Sequence, residues 1–230
     1  MTPGGILCFV TDRRRLGPAA TDSIERLVDL VGTAAEAGVN LVQIRESDLD
    51  DRSLIDLVSR SVERTARTKT RVVVNDRVDV ALSAGAAGVH LRHDSAPAER
   101  VRSLCPDSWL VGRSVHDVDE AEHAAKSGAI DYLIMGTVFE SVSKPGYVPA
   151  GIDALSKVVG RVPLPVLAIG GVTVGRAEAV GRAGAGGIAA IGEFMAAGSG
   201  SGPGLDAVVT RFREGFDRGS SSPTQVGTHV

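Results

Sequence analysis

Aromatic side chains are scarce in this chain: one Trp, 2 Tyr and 5 Phe make up 3% of its 230 residues. The core therefore has to be assembled mainly from Ala, Val and Gly, whose small volumes suit close helix-on-strand packing. Excess charge is also missing. A net charge of −3 and a pI near 6.0 lack the strongly basic surface that nucleic acid or an anionic membrane selects. No uninterrupted apolar segment approaches the roughly 20 residues that span a bilayer. The opening MTPGGILCFVTD has neither the basic start nor the longer apolar stretch of a signal peptide. A cytoplasmic protein with no nucleic-acid and no membrane partner is the expectation. Cysteine is sparse as well. Cys8 and Cys105 lie far apart with no metal-type spacing, and read as two buried thiols rather than a disulfide.

What the chain does have is an internal repeat. A helical pattern, a small-residue turn and a short apolar run recur. EAGVN precedes LVQIR at Leu41, SAGAAG precedes VHL at Val89, KSGAID precedes YLIMG at Tyr132, and RAGAGG precedes IAAIG at Ile188. Glycine at a helix C-terminus takes the left-handed conformation without penalty, so each instance marks a helix stop feeding a strand. Eight strands follow: Ile6–Val10, Leu41–Arg45, Arg71–Asn75, Gly88–Leu91, Trp109–Gly112, Tyr132–Gly136, Val166–Ile169 and Gly187–Ile191. Helices are predicted near Asp22–Ala37, Asp50–Thr68, Val78–Ala84, Pro97–Leu104, Val118–Ser127, Gly151–Val159, Val174–Ala183 and Leu205–Phe216, with a short extra piece at Glu193–Ala197. Thr21, Asp22 and Ser23, and Asp50 with Asp51, are the predicted N-terminal caps and first-turn acids. Alternating strands and helices imply parallel pairing through crossover connections. Eight such units fit a single-domain α/β fold, a (β/α)8 TIM barrel over residues 1–216, with a doubly wound sheet as the alternative. Residues 217–230, including RGSSSPTQVGTHV from Arg218, are expected to be a disordered tail.

In such a barrel, function belongs to the C-terminal ends of the strands. Strand 2 ends in Gln43-Ile44-Arg45, with Gln43 and Arg45 on one side by alternation; a buried Arg45 would need an anionic partner. Asn75 and Asp76 end strand 3 as either the cap of the next helix or oxygen ligands for magnesium (Mg2+). His90 reads as a hydrogen-bonded interior residue rather than a zinc ligand with His93. Strand 5 brings Ser114 and His116 to the mouth, His116 being either a general acid/base or the first residue of a helix. Strand 6 runs into a loop in which Ser141, Ser143 and Lys144 form a candidate phosphate cradle. Gly170 and Gly171 after strand 7, and Ile191 and Gly192 before the short helical piece, form a second.

Together these stretches resemble the thiamine phosphate synthase/TenI family. The matching segments are QIRE (43–46), NDRVDVALSAGAAGVHL (75–91), GRSVH (112–116), DYLIMGTVF with SKPG (131–146), AIGGVT (168–173) and AGAGGIAAIG (183–192). Six motifs in register cover nearly the whole ordered chain. The resemblance implies a (β/α)8 barrel working in thiamine biosynthesis, cytoplasmic and often a homodimer. It implies two small-molecule substrates, a pyrimidine pyrophosphate and a thiazole phosphate, joined with Mg2+ assistance. Gln43, Arg45 and Asn75 would hold the pyrophosphate or pyrimidine, Asp76 would bind Mg2+, and Ser114 would contact the reacting pyrimidine. Ser143 and Lys144 would meet pyrophosphate and Ser141 would lie beside the thiazole. Gly171, Ile191 and Gly192 would offer backbone N–H groups to the thiazole phosphate.

Three positions depart from the synthase pattern. A lysine of the family is Ser47 here. Arg92 and His93 replace Gly-Gln, and Ser95 stands where a second metal-binding acid is expected, so that Arg92 could restore the lost charge and Asp94 could serve the metal. Thr137 stands where the synthase commonly has proline. In the TenI branch, which isomerises the thiazole phosphate, the acid/base histidine also falls at Thr137, leaving His116 as a substitute base. The synthase is the main reading. A tautomerase, a non-catalytic thiazole-phosphate-binding regulator, and a phosphosugar isomerase or aldolase on the same barrel are the alternatives; no inward lysine ends a predicted strand to serve the aldolase.

Overall fold

The computed structural model of the protein describes residues 5–17, 23–141, 146, 148–200 and 202–221. Its strands are β1 (Ile6–Val10), β2 (Leu41–Ile44), β3 (Arg71–Asn75), β4 (Gly88–Leu91), β5 (Leu110–Val115), β6 (Tyr132–Gly136), β7 (Val166–Ile169) and β8 (Gly187–Ala190). They pair in parallel in chain order, and β8 returns to β1, with Leu7 opposite Ile188. A closed barrel leaves no reversal of strand order, which removes the doubly wound alternative.

The helices are α1 (Ser23–Glu36), α2 (Asp51–Thr65), α3 (Val78–Ser83), α4 (Ala98–Arg102), α5 (Val118–Lys126), α6 (Gly151–Val159), α7 (Ala177–Arg182), α8 (Gly192–Gly198) and α9 (Leu205–Ser220). Short 3-10 turns occupy Arg13–Leu16 and Val174–Arg176. The expected caps divide. Asp50 accepts a hydrogen bond from the Ser53 N–H at 2.9 Å and starts α2, whereas Thr21 and Asp22 lie outside the described residues. α9 continues through Ser220, where a tail was expected from 217; residues 222–230 lie outside the described residues.

Strand alternation sorts the core into two compartments. Cys8, Val10, Leu41, Val73, Tyr132, Ile134, Leu167 and Ala189 fill the barrel interior. The intervening residues, such as Leu7, Phe9, Val72 and Val74, pack outward under the helices. Phe9 meets Phe194 of α8 with ring centroids 5.0 Å apart, and Phe194 meets Phe212 of α9 at 5.8 Å. All three are essentially fully buried, and each such burial is worth about 1.5–3 kcal/mol. Three of the chain's few aromatics thereby fasten α8, with its glycine N-terminus, against β1. Both cysteines are free thiols, but only Cys8 is fully buried; Cys105 is half-buried on the helix side. The Cys8 thiol is pushed far up by its burial.

Candidate active site

A cavity of about 550 Å³ opens at the C-terminal ends of the strands, a size within the usual range for small-ligand pockets. Each strand supplies it in the way the alternation rule anticipates. Gln43, buried on β2, donates through Nε2 to Asn75 Oδ1 on β3 at 2.9 Å. Ser114 on β5 lies 2.9 Å from His90 Nε2 on β4, and His90 Nδ1 lies 3.3 Å from the Tyr132 hydroxyl on β6. Gly170 and Gly171 follow β7, and Ile191 and Gly192 follow β8. Gln43, Arg45, Asn75, Arg92, Ser114, His116, Ser141, Gly170, Gly171, Ile191 and Gly192 all line this one cavity. Ser143 and Lys144 lie outside the described residues.

Several expectations change at this level. Arg45 is exposed rather than buried. β2 stops at Ile44, so the guanidinium stands past the strand end on the cavity rim and meets no carboxylate among the described residues. Neither Asn75 nor Asp76 caps α3, whose N-cap residue is Arg77. Asp76 instead adopts φ 62°, a left-handed backbone that aspartate tolerates better than most residues. His116 precedes α5 instead of starting it, since Asp117 is the N-cap. Its Nδ1 lies 3.0 Å from Glu120 Oε2 and its ring meets His93 edge-on, centroids 4.9 Å apart. Arg92 gives Nε and Nη2 to both oxygens of Asp94, at 2.9 and 2.5 Å. The charge expected to replace the missing lysine is thus already compensated, and the Asp94 carboxyl is held below its usual range by that guanidinium.

Metal binding can be tested against the donor set. Asp76 accepts a short hydrogen bond from the Ser95 hydroxyl, so Ser95 stands against Asp76, as the second acid of the synthase pattern would. Among the described residues no group of three or more His, Cys, Asp or Glu could hold a metal. One carboxylate beside a hydroxyl still fits a small hard cation completed by substrate phosphate. Neither Asp76 nor Asp94 lines the cavity itself, and Asp94, with both oxygens on Arg92, adds nothing to that set.

Two cations went unread in the sequence. Arg15, in the 3-10 turn after β1, lines the cavity, and its Nη1 would stand 3.9 Å from a Cβ placed on Gly192. Its Nε is held by Asp12 at 3.0 Å. Arg176 also lines the cavity, donating to the Gly171 carbonyl at 2.7 Å with its guanidinium 4.8 Å above the Phe139 ring. The run Asp12-Arg13-Arg14-Arg15 directly after a barrel strand was the available signal for the first. Arg176, inside a predicted helix, had none. Glu46 explains part of the QIRE segment structurally: fully buried, it accepts from the Arg13 backbone N–H at 3.0 Å and from Arg13 Nη1 at 3.1 Å. Burial pushes its carboxyl up. That contact ties the end of β2 to the turn bearing Arg15.

Fold and cavity together define a parallel (β/α)8 barrel with a glycine-lined, arginine-flanked cavity at the strand C-termini. The family model described as thiamine monophosphate synthase matches residues 7–194. The chain belongs to that family. A thiamine-phosphate synthase of Roseiflexus castenholzii is 39% identical over 177 residues, covering 76% of this chain and 75% of the relative. One from Roseiflexus sp. strain RS-1 is 38% identical over 178 residues, covering 77% and 72%. Among solved structures, the thiamine phosphate pyrophosphorylase of Pyrococcus furiosus superposes with a TM-score of 0.77 at 30% identity, covering 94% of this chain and 96% of that one.

Proposed function

We propose that the protein is a thiamine-phosphate synthase, joining a hydroxymethylpyrimidine pyrophosphate to a thiazole phosphate with release of pyrophosphate. The observation that carries this reading is the single cavity that unites the Gln43–Asn75–Ser114 group with the glycine cradle of Gly170, Gly171 and Gly192. One end suits a polar heterocycle and the other a phosphate, at a separation bridged by the same open volume.

In this reading Gln43 and Asn75, locked to each other, present their remaining amide groups to the pyrimidine pyrophosphate. Arg45 meets the departing pyrophosphate from the rim, with Ser143 and Lys144 as its further partners. Ser114 contacts the pyrimidine and Ser141 lies beside the thiazole. The backbone N–H groups of Gly171, Ile191 and Gly192 hold the thiazole phosphate, with the charges of Arg15 and Arg176 nearby. Asp76 would hold Mg2+, which neutralises charge on the leaving pyrophosphate when bound. Fixed cations and amides aimed at developing negative charge are the main electrostatic resource of such a site. Apolar walls from Val10, Ile134 and Ile169 keep water from the electron-poor pyrimidine while the thiazole nitrogen approaches. The protein works in the cytoplasm, and a homodimer is its expected assembly.

A second reading has one observation behind it. His116 lines the cavity and pairs with Glu120, which supports it as the proton-transfer group of a tautomerase, whereas Thr137 is not titratable. The deciding experiment incubates purified protein with Mg2+, pyrimidine pyrophosphate and thiazole phosphate, scoring thiamine phosphate. Product at a sustained rate is expected. Its absence, with proton exchange into thiazole phosphate alone, would instead establish a tautomerase; silence in both assays would leave a non-catalytic binder.

A further inference from the structure

The cluster of His90, Tyr132 and Ser114 has a property beyond its place in the cavity. His90 pairs across the sheet with Gly112, and Gly112 pairs with Tyr132. The middle residue has no side chain, and a Cβ there would lie 2.5 Å from the Tyr132 hydroxyl and 2.6 Å from His90 Nδ1. Glycine at this position is therefore what lets the imidazole and phenol of two non-adjacent strands touch. Ser114 follows two residues along β5, on the same face.

Hydrogen-bond accounting then fixes the direction of every bond. Tyr132 is 3% exposed, and among the described residues its hydroxyl has one partner, His90 Nδ1. A buried donor without an acceptor is costly, so the phenol donates to Nδ1. Nδ1 is then bare and the ring hydrogen sits on Nε2. With Nδ1 accepting the phenol hydrogen, the ring is neutral and carries that one hydrogen. Nε2–H donates to Ser114 Oγ at 2.9 Å. The serine's own O–H is left with no acceptor among the described residues, at the wall of the cavity.

We propose that Tyr132 and His90 are positioning residues that set Ser114 as a hydrogen-bond donor to the ligand, so that the site requires an acceptor lone pair at that point. In the synthase reading, on which only the identity of the acceptor rests, this is a pyrimidine ring nitrogen. Reversing the relay would turn the serine hydrogen back to His90 and offer the ligand only a lone pair.

The test has two arms. In the first, full-length protein labelled with 15N-histidine is examined by NMR from pH 5 to 8, with His90→Gln identifying the His90 signals among the five histidines. A protonated Nε2 and bare Nδ1 throughout are expected, with an Nδ1-protonated population appearing in Tyr132→Phe. An Nδ1-protonated ring in the unmodified protein would overturn the relay. In the second arm, Tyr132→Phe should lower kcat/KM for the pyrimidine pyrophosphate about tenfold while leaving KM for thiazole phosphate unchanged. His90→Gln, which retains an N–H donor toward Ser114, should keep more turnover than His90→Leu. Unchanged kinetics in Tyr132→Phe would sink the proposal. Were the unmodified protein to show no synthase turnover, the proposed function would fall while the NMR arm still decided the relay.

Discussion

Replacing Gly171 with Ala adds one methyl group, and two features of the structure predict that it is not tolerated. The backbone there is left-handed, φ 62°, which costs a non-glycine residue about 1–2 kcal/mol. The new Cβ would lie 2.9 Å from the Phe139 carbonyl oxygen and nearer still to that of Glu140. Both neighbours are backbone, and the Gly171 carbonyl is itself held by Arg176 at 2.7 Å, so relief requires moving the β6–α6 connection. Overpacking of that kind costs about 1–3 kcal/mol, giving about 2–5 kcal/mol in all. At about 2–4 °C per kcal/mol for a domain of this length, Tm should fall by roughly 4–20 °C, and KM for thiazole phosphate should rise as the cradle is displaced. Gly175→Ala is the matched control. It lies four residues away without a positive φ, and its nearest contact would be Thr173 Oγ1 at an ordinary 3.9 Å; its effect should stay within about 0.5 kcal/mol. Thermal unfolding and steady-state kinetics on the two variants decide the matter. Equal Tm and KM in both would refute the close-approach reasoning.

Removing Arg176 or Arg15 should raise KM for thiazole phosphate about 10- to 100-fold, the scale of one charge-assisted hydrogen bond, while binding of the unphosphorylated thiazole stays level; equal losses for both ligands would place these arginines outside the phosphate site. Asp76→Asn should abolish Mg2+-dependent turnover yet preserve thiazole phosphate binding by calorimetry, and persistent turnover would displace the metal from this residue. His90, neutral when folded and held at about 3, binds fewer protons folded than unfolded between that value and its ordinary 6.5. Stability should therefore rise as pH is raised across that window, by up to about 1.4 kcal/mol per unit, a slope that His90→Gln removes in urea titrations.

The barrel was legible because its repeat is written in residues with one local meaning. Gly38, Gly85, Gly128 and Gly184, the four glycines of the repeat, all have positive φ between 66° and 95°. Around the first three, no heavy atom lies within 4 Å of an added Cβ. Their reason is backbone conformation alone, and position at a helix end reveals it. The cavity residues were legible for a related reason, since alternation and strand ends locate Gln43, Asn75, Ser114 and the β7–β8 glycines without tertiary knowledge. Arg45 shows where that stops. The side it faces was readable, but whether β2 ended before or after it was not, and that difference turns a buried cation into an exposed one. Arg15 and Arg176 reach the phosphate end from segments whose approach to Gly192 and Gly171 is set only by closure of the barrel.

Glycine itself marks the limit most clearly, because it serves a second purpose that no local pattern discloses. Gly219 falls in the tail expected over residues 217–230, yet α9 runs through it: a Cβ there would overlap the Glu178 carbonyl of α7 and lie 2.7 Å from the Arg182 nitrogen. Gly112 and Gly171 belong to the same kind, each kept bare by atoms from other segments. A helix-breaking residue thus becomes a packing residue once its neighbour is known, and the neighbour is supplied by the fold rather than by adjacent sequence. For this chain the distinction is functional: the repeat glycines of the first kind build the scaffold, whereas Gly112 and Gly171 set the two contacts, imidazole on phenol and cradle on loop, on which the proposed chemistry depends.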